Sequence, residues 1–269
     1  MVKRDLVLSP FGGDAAALLR AAIAAEADGY DGVWTFDHIS SLASLGAPGE
    51  GASRDPFTLL GAIAASTSRV RLGTLVANIH NRHPAQLALA FDTLADLAGV
   101  GGLEDGDAEA RGRTVCGIGA GAGPGSPFAR EDEALGRALA PAAQRRKLLG
   151  EHLAALRAIW EGRDAVGSVE TYGLTGVVRQ PAPPIIVGGS SNATLRLAAQ
   201  QADGVNIVTG LGPRLADQVE LIRAELAARE APLPNGFEIS VFVAARPPED
   251  AFASEIPEGV DRLTVLVRP

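Results

Sequence analysis

Eight short β-type runs, separated by helix patterns or turn-rich segments, constrain this chain more than any other feature. They are Leu6–Leu8, Gly32–Phe36, Val70–Val76, Thr114–Ile118, Ile185–Val187, Val205–Val208, Phe237–Ala244 and Leu263–Val267. Helical patterns fall between most of them: Ala15 to Ala27, Asp55 to Ser68, Ala85 to Leu97, Ala142 to Trp160, the run after Ser191, and Pro213 to Arg229. Asp55-Pro56 is a start signal, with Asp as cap and Pro at the first helical position. Strands alternating with helices fold as a parallel sheet. Eight of them predict an α/β fold of the (β/α)8 TIM-barrel type, with an open doubly wound sheet as the competing arrangement. The 269 residues are 46% hydrophobic, enough for one domain spanning residues 1–269 to bury a large core without metal or disulfide.

Two stretches depart from the repeat. Gly99 to Arg113 is an acidic, Gly-rich connection expected on the N-terminal face of a barrel. Arg246 to Gly259 leaves little room for a helix, and nothing after Leu263–Val267 resembles one. The barrel is therefore expected to be shortened around strands seven and eight. Apolar surface exposed there would be covered by a partner subunit or a preceding segment.

Net charge narrows the partners. A value of -8, with 22 Arg and 2 Lys scattered along the chain, argues against nucleic acid. No apolar run reaches the length of a membrane span, and Met1-Val2-Lys3-Arg4-Asp5 lacks the apolar core of a signal peptide, so a cytoplasmic setting is expected. The lone Cys116 lies in an apolar run and reads as a buried free thiol, and no Cys/His spacing suggests a metal.

Chemistry in such a barrel sits where strands end. Pro183 to Val187 reads as a buried strand running into Gly188, Gly189, Ser190 and Ser191 and then a helix. Free backbone N–H groups at such a turn suit a phosphate. His38 ends the second strand, where its imidazole could donate a proton or hydrogen bond and Asp37 could set its tautomer. Asp37 could equally cap a helix or pair with an arginine. His80 could line the pocket, His83, before Pro84 at a helix start, helps position the loop, and His152 reads as a surface residue. Gly117 to Gly125, with Gly119 and Gly121, reads as a loop that a flat ligand or phosphate can approach closely. It does not match the dinucleotide-binding spacing. No nucleophile elbow, Walker lysine or strand-end carboxylate pair is present. What remains suits a planar phosphorylated cofactor that carries its own reactivity. With 4% aromatic residues, aliphatic pocket walls are expected.

Taken in order, several segments resemble the bacterial luciferase-like monooxygenase family, flavin- or coenzyme F420-dependent oxidoreductases of actinobacterial type. They are Asp31 to His38, Asp55 to Leu60, Arg71 to Val76, Asn81 to Ala88, Gly117 to Gly121, Gly123 to Phe128, Glu133 to Gly136, Pro184 to Gly189 and Ala202 to Asn206. The resemblance implies a barrel, usually a homodimer, that binds coenzyme F420 or FMN and acts on a small-molecule substrate. It implies that phosphate lies on the amides of Gly188, Gly189, Ser190 and Ser191, and that the ring lies across the ends of strands two to four. It implies a non-proline cis peptide near Thr74, Leu75 and Val76, with Asn78 and Asn81 as ring or side-arm contacts and His38 facing the reactive ring. Two departures stand out. Ala122 occupies the position of the catalytic Glu of the sugar-phosphate dehydrogenase branch, so that activity is not expected. With the shortened C-terminal third, this leaves a cofactor-binding protein without turnover as the alternative.

Overall fold

A computed structural model of the chain describes residues 2–11, 14–39, 53–100, 112–165, 167, 169–174, 182–210, 212–229, 233, 236–245 and 256–267. Among the described residues, nine parallel strands form one closed sheet. In chain order they are β1 (Lys3–Leu8), β2 (Gly32–Thr35), β3 (Arg71–Thr74), β4 (Ala77–Asn78), β5 (Thr114–Gly119), β6 (Ile185–Gly188), β7 (Gly204–Val208), β8 (Glu238–Ala245) and β9 (Arg262–Val267). β1 pairs with both β2 and β9, and β3 and β4 both pair with β5. β4 continues β3 beyond a short break, so the ring has eight staves, as the alternation predicts. The open-sheet alternative is excluded by the β1–β9 closure.

The helices are α1 (Ala15–Ala27), α2 (Pro56–Ala64), α3 (Pro84–Val100), α4 (Ala129–Ala134), α5 (Ala142–Trp160), α6 (Asn192–Gln201) and α7 (Leu215–Ala227). Asp55 caps α2, its carboxylate accepting from Thr58 N at 2.9 Å, and Pro56 opens the helix. The helix stops at Ala64, four residues short of Ser68. The chain turns there because the carboxylate of Glu26 gathers the N–H groups of Ser68, Arg69 and Val70 and starts β3. The 246–255 part of the short β8–β9 connection lies outside the described residues, as do residues 101–111 of the acidic connection before β5 and residues 40–52 between β2 and α2. No helix among the described residues is long and apolar enough to cross a membrane.

Strand alternation divides the core in two. Leu8, Val33, Leu72, Cys116, Ile118, Ile185, Val187 and Val205 face the helices and pack against Leu60, Ile63, Phe91, Leu149 and Leu156. Burial pushes the Cys116 thiol well up, so it is an inert part of this layer. The residues between them fill the barrel. Lowest lies a buried ion pair, Asp5 with Arg262 at 2.5 Å, extended by Glu238 and Arg71. The Trp34 indole N–H donates to Asp5 at 2.7 Å, and Gly73 leaves room for its ring, since a Cβ there would fall 2.4 Å from Trp34 Cζ3. Val7, Val115 and Ile186 sit beside Trp34, with Phe36, Val76, Phe242 and Leu266 packed onto them. Asn206 ties this interior together by donating to Ser240 and Thr264.

Candidate active site at the barrel mouth

At the C-terminal end the interior gives way to an aromatic group. Phe36, the last inward residue before His38, stacks with Phe11 from the end of β1 at 6.3 Å and meets Phe242 of β8 edge-on at 6.0 Å. Phe128, at the start of α4, stacks on the His38 imidazole at 4.8 Å and 20°. The expected aliphatic walls are thus corrected. Aromatic residues are few, but of 8 phenylalanines three (Phe11, Phe36 and Phe128) surround His38 and a fourth, Phe242, packs on Phe36. A composition average carries no positions, which is why it misled.

His38 is 26% exposed, and its Nδ1 lies 3.0 Å from Oε2 of Glu131, which is 7% exposed. The other Glu131 oxygen accepts from Ile39 N at 2.9 Å. Asp37 does not set the tautomer. It points elsewhere, both its oxygens accepting from Nη1 of Arg82 at 2.9 Å and Oδ2 also accepting the Asn78 N–H at 3.0 Å. Arg82 also reaches Asp55 at 2.7 Å and lies over the Phe57 ring. Asp37 and Arg82 therefore fasten the end of β2 to the β4–α3 turn, the arginine pairing that the sequence left open.

Beyond β3 the Leu75–Val76 peptide is cis, where the resemblance places it. Thr74 is fully buried and its hydroxyl donates to Gly117 O at 2.6 Å. The side chain of Val76 lies over β5 and β6: a Cβ on Gly119 would fall 2.4 Å from its Cγ2, and one on Gly188 2.7 Å from its Cγ1. The glycine-rich loop is likewise filled from within. A Cβ on Gly121, at φ +68°, would meet Asn78 and His80, and one on Gly123 would meet the Arg145 guanidinium. Arg145 donates to Gly121 O at 2.5 Å. At these glycines the vacant side-chain space belongs to Val76, Asn78, His80 and Arg145.

Asn78 Oδ1 accepts from His80 N at 3.0 Å, and Asn81 accepts from Arg137 at 2.8 Å. Burial pushes the His80 imidazole below the ordinary histidine range, with Asp132 opposing this and Arg137 and Arg145 adding to it. His83 accepts from Ala85 N at 3.2 Å and so helps start α3. His152 is buried rather than on the surface; its Nδ1 bonds Leu148 O at 3.0 Å, and burial pushes it down too.

At the start of α6, Ser191 caps the helix by accepting from Thr194 N, and the Ser190 hydroxyl bridges the N–H and C=O of Val208. The N–H of Gly189 donates to Asn206 O at 3.0 Å. Gly189 is therefore removed from the set of free amides, and it stays glycine because a Cβ would press on Thr194 at 2.6 Å. Among the described residues, the N–H groups of Ser190 and Ser191 show no acceptor. Those of Asn192 and Ala193 lie in the first turn, where a helix supplies none. These four amides and Ser191 form the anion-competent end of α6. A cavity of about 1330 Å³ opens at the opposite end, between Arg71, Trp160, Pro184 and Glu238, and takes no part in this site.

The luciferase-like monooxygenase model matches residues 6–263. The chain belongs to the luciferase-like monooxygenase family. Among curated relatives, an F420-dependent glucose-6-phosphate dehydrogenase of Nakamurella multipartita is 32% identical over 72% of this chain, and a namesake from Beutenbergia cavernae is 30% identical over 74%. The chain spans about half the length of these relatives, 52% and 54%. An F420-dependent secondary alcohol dehydrogenase, solved with an F420-acetone adduct, superposes with a TM-score of 0.69 at 19% identity, covering 94% of this chain and 72% of that one. This luciferase-like chain thus shares its barrel with enzymes of very different sequence.

The sequence does not single out Glu131, Phe128, Phe242, Arg82 and Arg145 at this mouth, while Phe11 is read as ending the first strand there. The phenylalanines at strand ends carried a positional signal. Glu131 carried none, since Arg130-Glu131-Asp132-Glu133 reads as a solvated charge run although Glu131 and Asp132 are buried.

Proposed function

We propose that this chain is an oxidoreductase that binds coenzyme F420 or FMN in its C-terminal mouth and acts on a small organic molecule. The observation that carries the reading is His38, held between Phe128 and Glu131 in an aromatic mouth with its Nε2 uncommitted among the described residues. The residues present fit such a cofactor. The free amides of Ser190, Ser191, Asn192 and Ala193 suit its phosphate, and Leu75, Val76 and Phe36 form an apolar floor for a flat ring. Asn78 has an amide nitrogen left to donate, while Thr74, Asp37, Asn81, Gly119, Gly121, Gly188 and Gly189 shape the site from behind. The bound cofactor would supply hydride transfer or oxygen activation. The chain contributes an imidazole that exchanges a proton at Nε2 and phenylalanine walls that exclude water. Ala122 and the aromatic walls favour a neutral substrate over the sugar phosphates named for the curated relatives. The family resemblance supports a homodimer in the cytoplasm, and sedimentation checks the dimer.

Fluorescence titration with oxidised and reduced FMN and F420 tests the reading. Saturable binding of one is expected. Replacing Gly188 or Gly189 would confuse the result by clashing with Val76 or Thr194. Ala193→Glu is cleaner. A carboxylate in the first turn favours the helix but opposes a phosphate ~6 Å away by about 0.7–2.8 kcal/mol, roughly 3- to 100-fold in Kd. No binding of either cofactor to the wild-type protein would overturn the assignment.

A further inference from the structure

We infer that Glu131 is the positioning residue that sets the tautomer of His38, so that Nε2 presents a bare lone pair to the mouth and His38 acts there as a proton acceptor. The catalytic half of this statement rests on the function proposed above; the tautomer does not.

Geometry assigns the hydrogen. The Glu131 carboxylate is an acceptor on both oxygens. Oε1 is committed to the Ile39 N–H at 2.9 Å, and Oε2 faces His38 Nδ1 at 3.0 Å. A neutral imidazole can satisfy a carboxylate only by placing its hydrogen on Nδ1, which leaves Nε2 as the acceptor. The ring cannot easily turn away. Phe128 stacks on it at 4.8 Å, and Phe11 and Phe36 approach at 5.9 and 6.2 Å. Phe128 and Glu131 lie three residues apart, so one short segment grips the ring by its face and by one nitrogen. Burial of Glu131 and its bond to Ile39 N, the residue after His38, lock carboxylate and imidazole to the same stretch of backbone.

Glu131→Gln is isosteric and discriminating. If the amide oxygen stays on the Ile39 N–H, its NH2 group faces Nδ1. Nδ1 must then accept, and the ring hydrogen moves to Nε2. If the amide turns over, two donors oppose each other at Ile39. The same logic in a serine-protease triad, where a carboxylate-to-amide change imposes the wrong tautomer, costs about 10⁴ in kcat.

The experiment uses the whole protein without cofactor. Long-range ¹H–¹⁵N spectra of the imidazoles are recorded at about pH 9, where ordinary histidines are neutral. Only 4 histidines are present, and His38→Gln assigns the signal of interest. A hydrogen on Nδ1 of His38 in the wild type, moving wholly or partly to Nε2 in Glu131→Gln, is the expected result. Diethyl pyrocarbonate labelling followed by mass spectrometry gives a second readout, needing no assignment. His38 should react at least several-fold more slowly in the variant, with His83 as internal reference. A wild-type hydrogen on Nε2, or a tautomer and reactivity unchanged by Glu131→Gln, would overturn the inference. Failure of both cofactors to bind while the tautomer behaves as stated would sink the proposed function and leave the Glu131–His38 pairing standing.

Discussion

Val76 offers a test of how the mouth is built. Its two γ carbons occupy space that β5 and β6 leave open by carrying Gly119 and Gly188. Gly119→Ala would place a Cβ 2.4 Å from Val76 Cγ2, with the next neighbours at 3.6 and 3.9 Å. Overpacking of this kind costs about 1–3 kcal/mol. Val76→Ala alone removes two methyl groups, worth at most about 1.6 kcal/mol at 0.8 each, and less here because Val76 is only partly buried. In the double variant the Val76 Cγ2 is gone and the new Cβ sits at ordinary contact distance, in the volume that carbon vacated. Its stability should match or exceed that of Val76→Ala alone. The sum of the single effects predicts a loss of about 2–4 kcal/mol, so a coupling of at least about 1 kcal/mol is expected, within the range for touching residues. Thermal unfolding followed by circular dichroism resolves this, since 1 kcal/mol moves Tm by roughly 2–4 °C in a chain of this size. Gly188→Ala, whose Cβ would meet Cγ1 and Cγ2 at 2.7 and 3.2 Å, should behave in the same way. Additive losses in either double variant would show that Val76 is not what these glycines accommodate. Gly119 and Gly188 would then owe their lack of a side chain to something other than Val76.

Three further outcomes follow from other parts of the barrel. Asp5→Ala leaves the buried Arg262 guanidinium and the Trp34 N–H without their acceptor, at a cost of about 3–5 kcal/mol and a Tm lower by roughly 10 °C; a fall of only a degree or two would mean Glu238 suffices for Arg262. Burial alone would raise the Glu26 carboxyl, but the N–H groups of Val70, Arg69 and Ser68 outweigh it and hold it below the ordinary range. Its contribution is therefore present above the usual glutamate range and lost as pH falls through the lowered value. The stability gap between wild type and Glu26→Gln should be about 1.5–3 kcal/mol at neutral pH and shrink on acidification in urea titrations; a gap constant down to about pH 3 would contradict this. His38→Ala should leave Tm within a few degrees and, once a substrate is in hand, lower turnover about 10²-fold or more; unchanged turnover would remove His38 from the chemistry.

What could be read in the sequence was local. Asp55-Pro56 specifies a helix start through two adjacent residues, and Ser191 after Gly188-Gly189 specifies another. The eight-fold alternation needs only chain order, and the barrel closes because β1 and β9 each present an unpaired edge to the other. The ends of elements were read less well where a distant side chain decides them, as Glu26 does by drawing Ser68 out of the helical path. His152 was misread for a related reason. Beside Glu151 it resembles a surface residue, yet its side of α5 is the buried one.

The site itself depended on pairs far apart in sequence. A reader of the chain sees His38 beside Asp37 and assigns the carboxylate to its neighbour. Just past the end of β2 the two side chains part, each held by its own distant partner. Asp37 therefore falls to Arg82, 45 positions on, and His38 to Glu131, 93 positions on. Nothing in Ala129–Ala134 announces that a run of four charged residues turns two of them inward. Yet the fold makes the pairing natural. β2 and β5 are separated by one stave, and the segment after β5 must cross the mouth to reach α5. Whatever side chains it carries inward meet the end of β2. The barrel thus brings a carboxylate from one βα segment to an imidazole on another, and Glu131→Gln tests the chemistry that this crossing makes available.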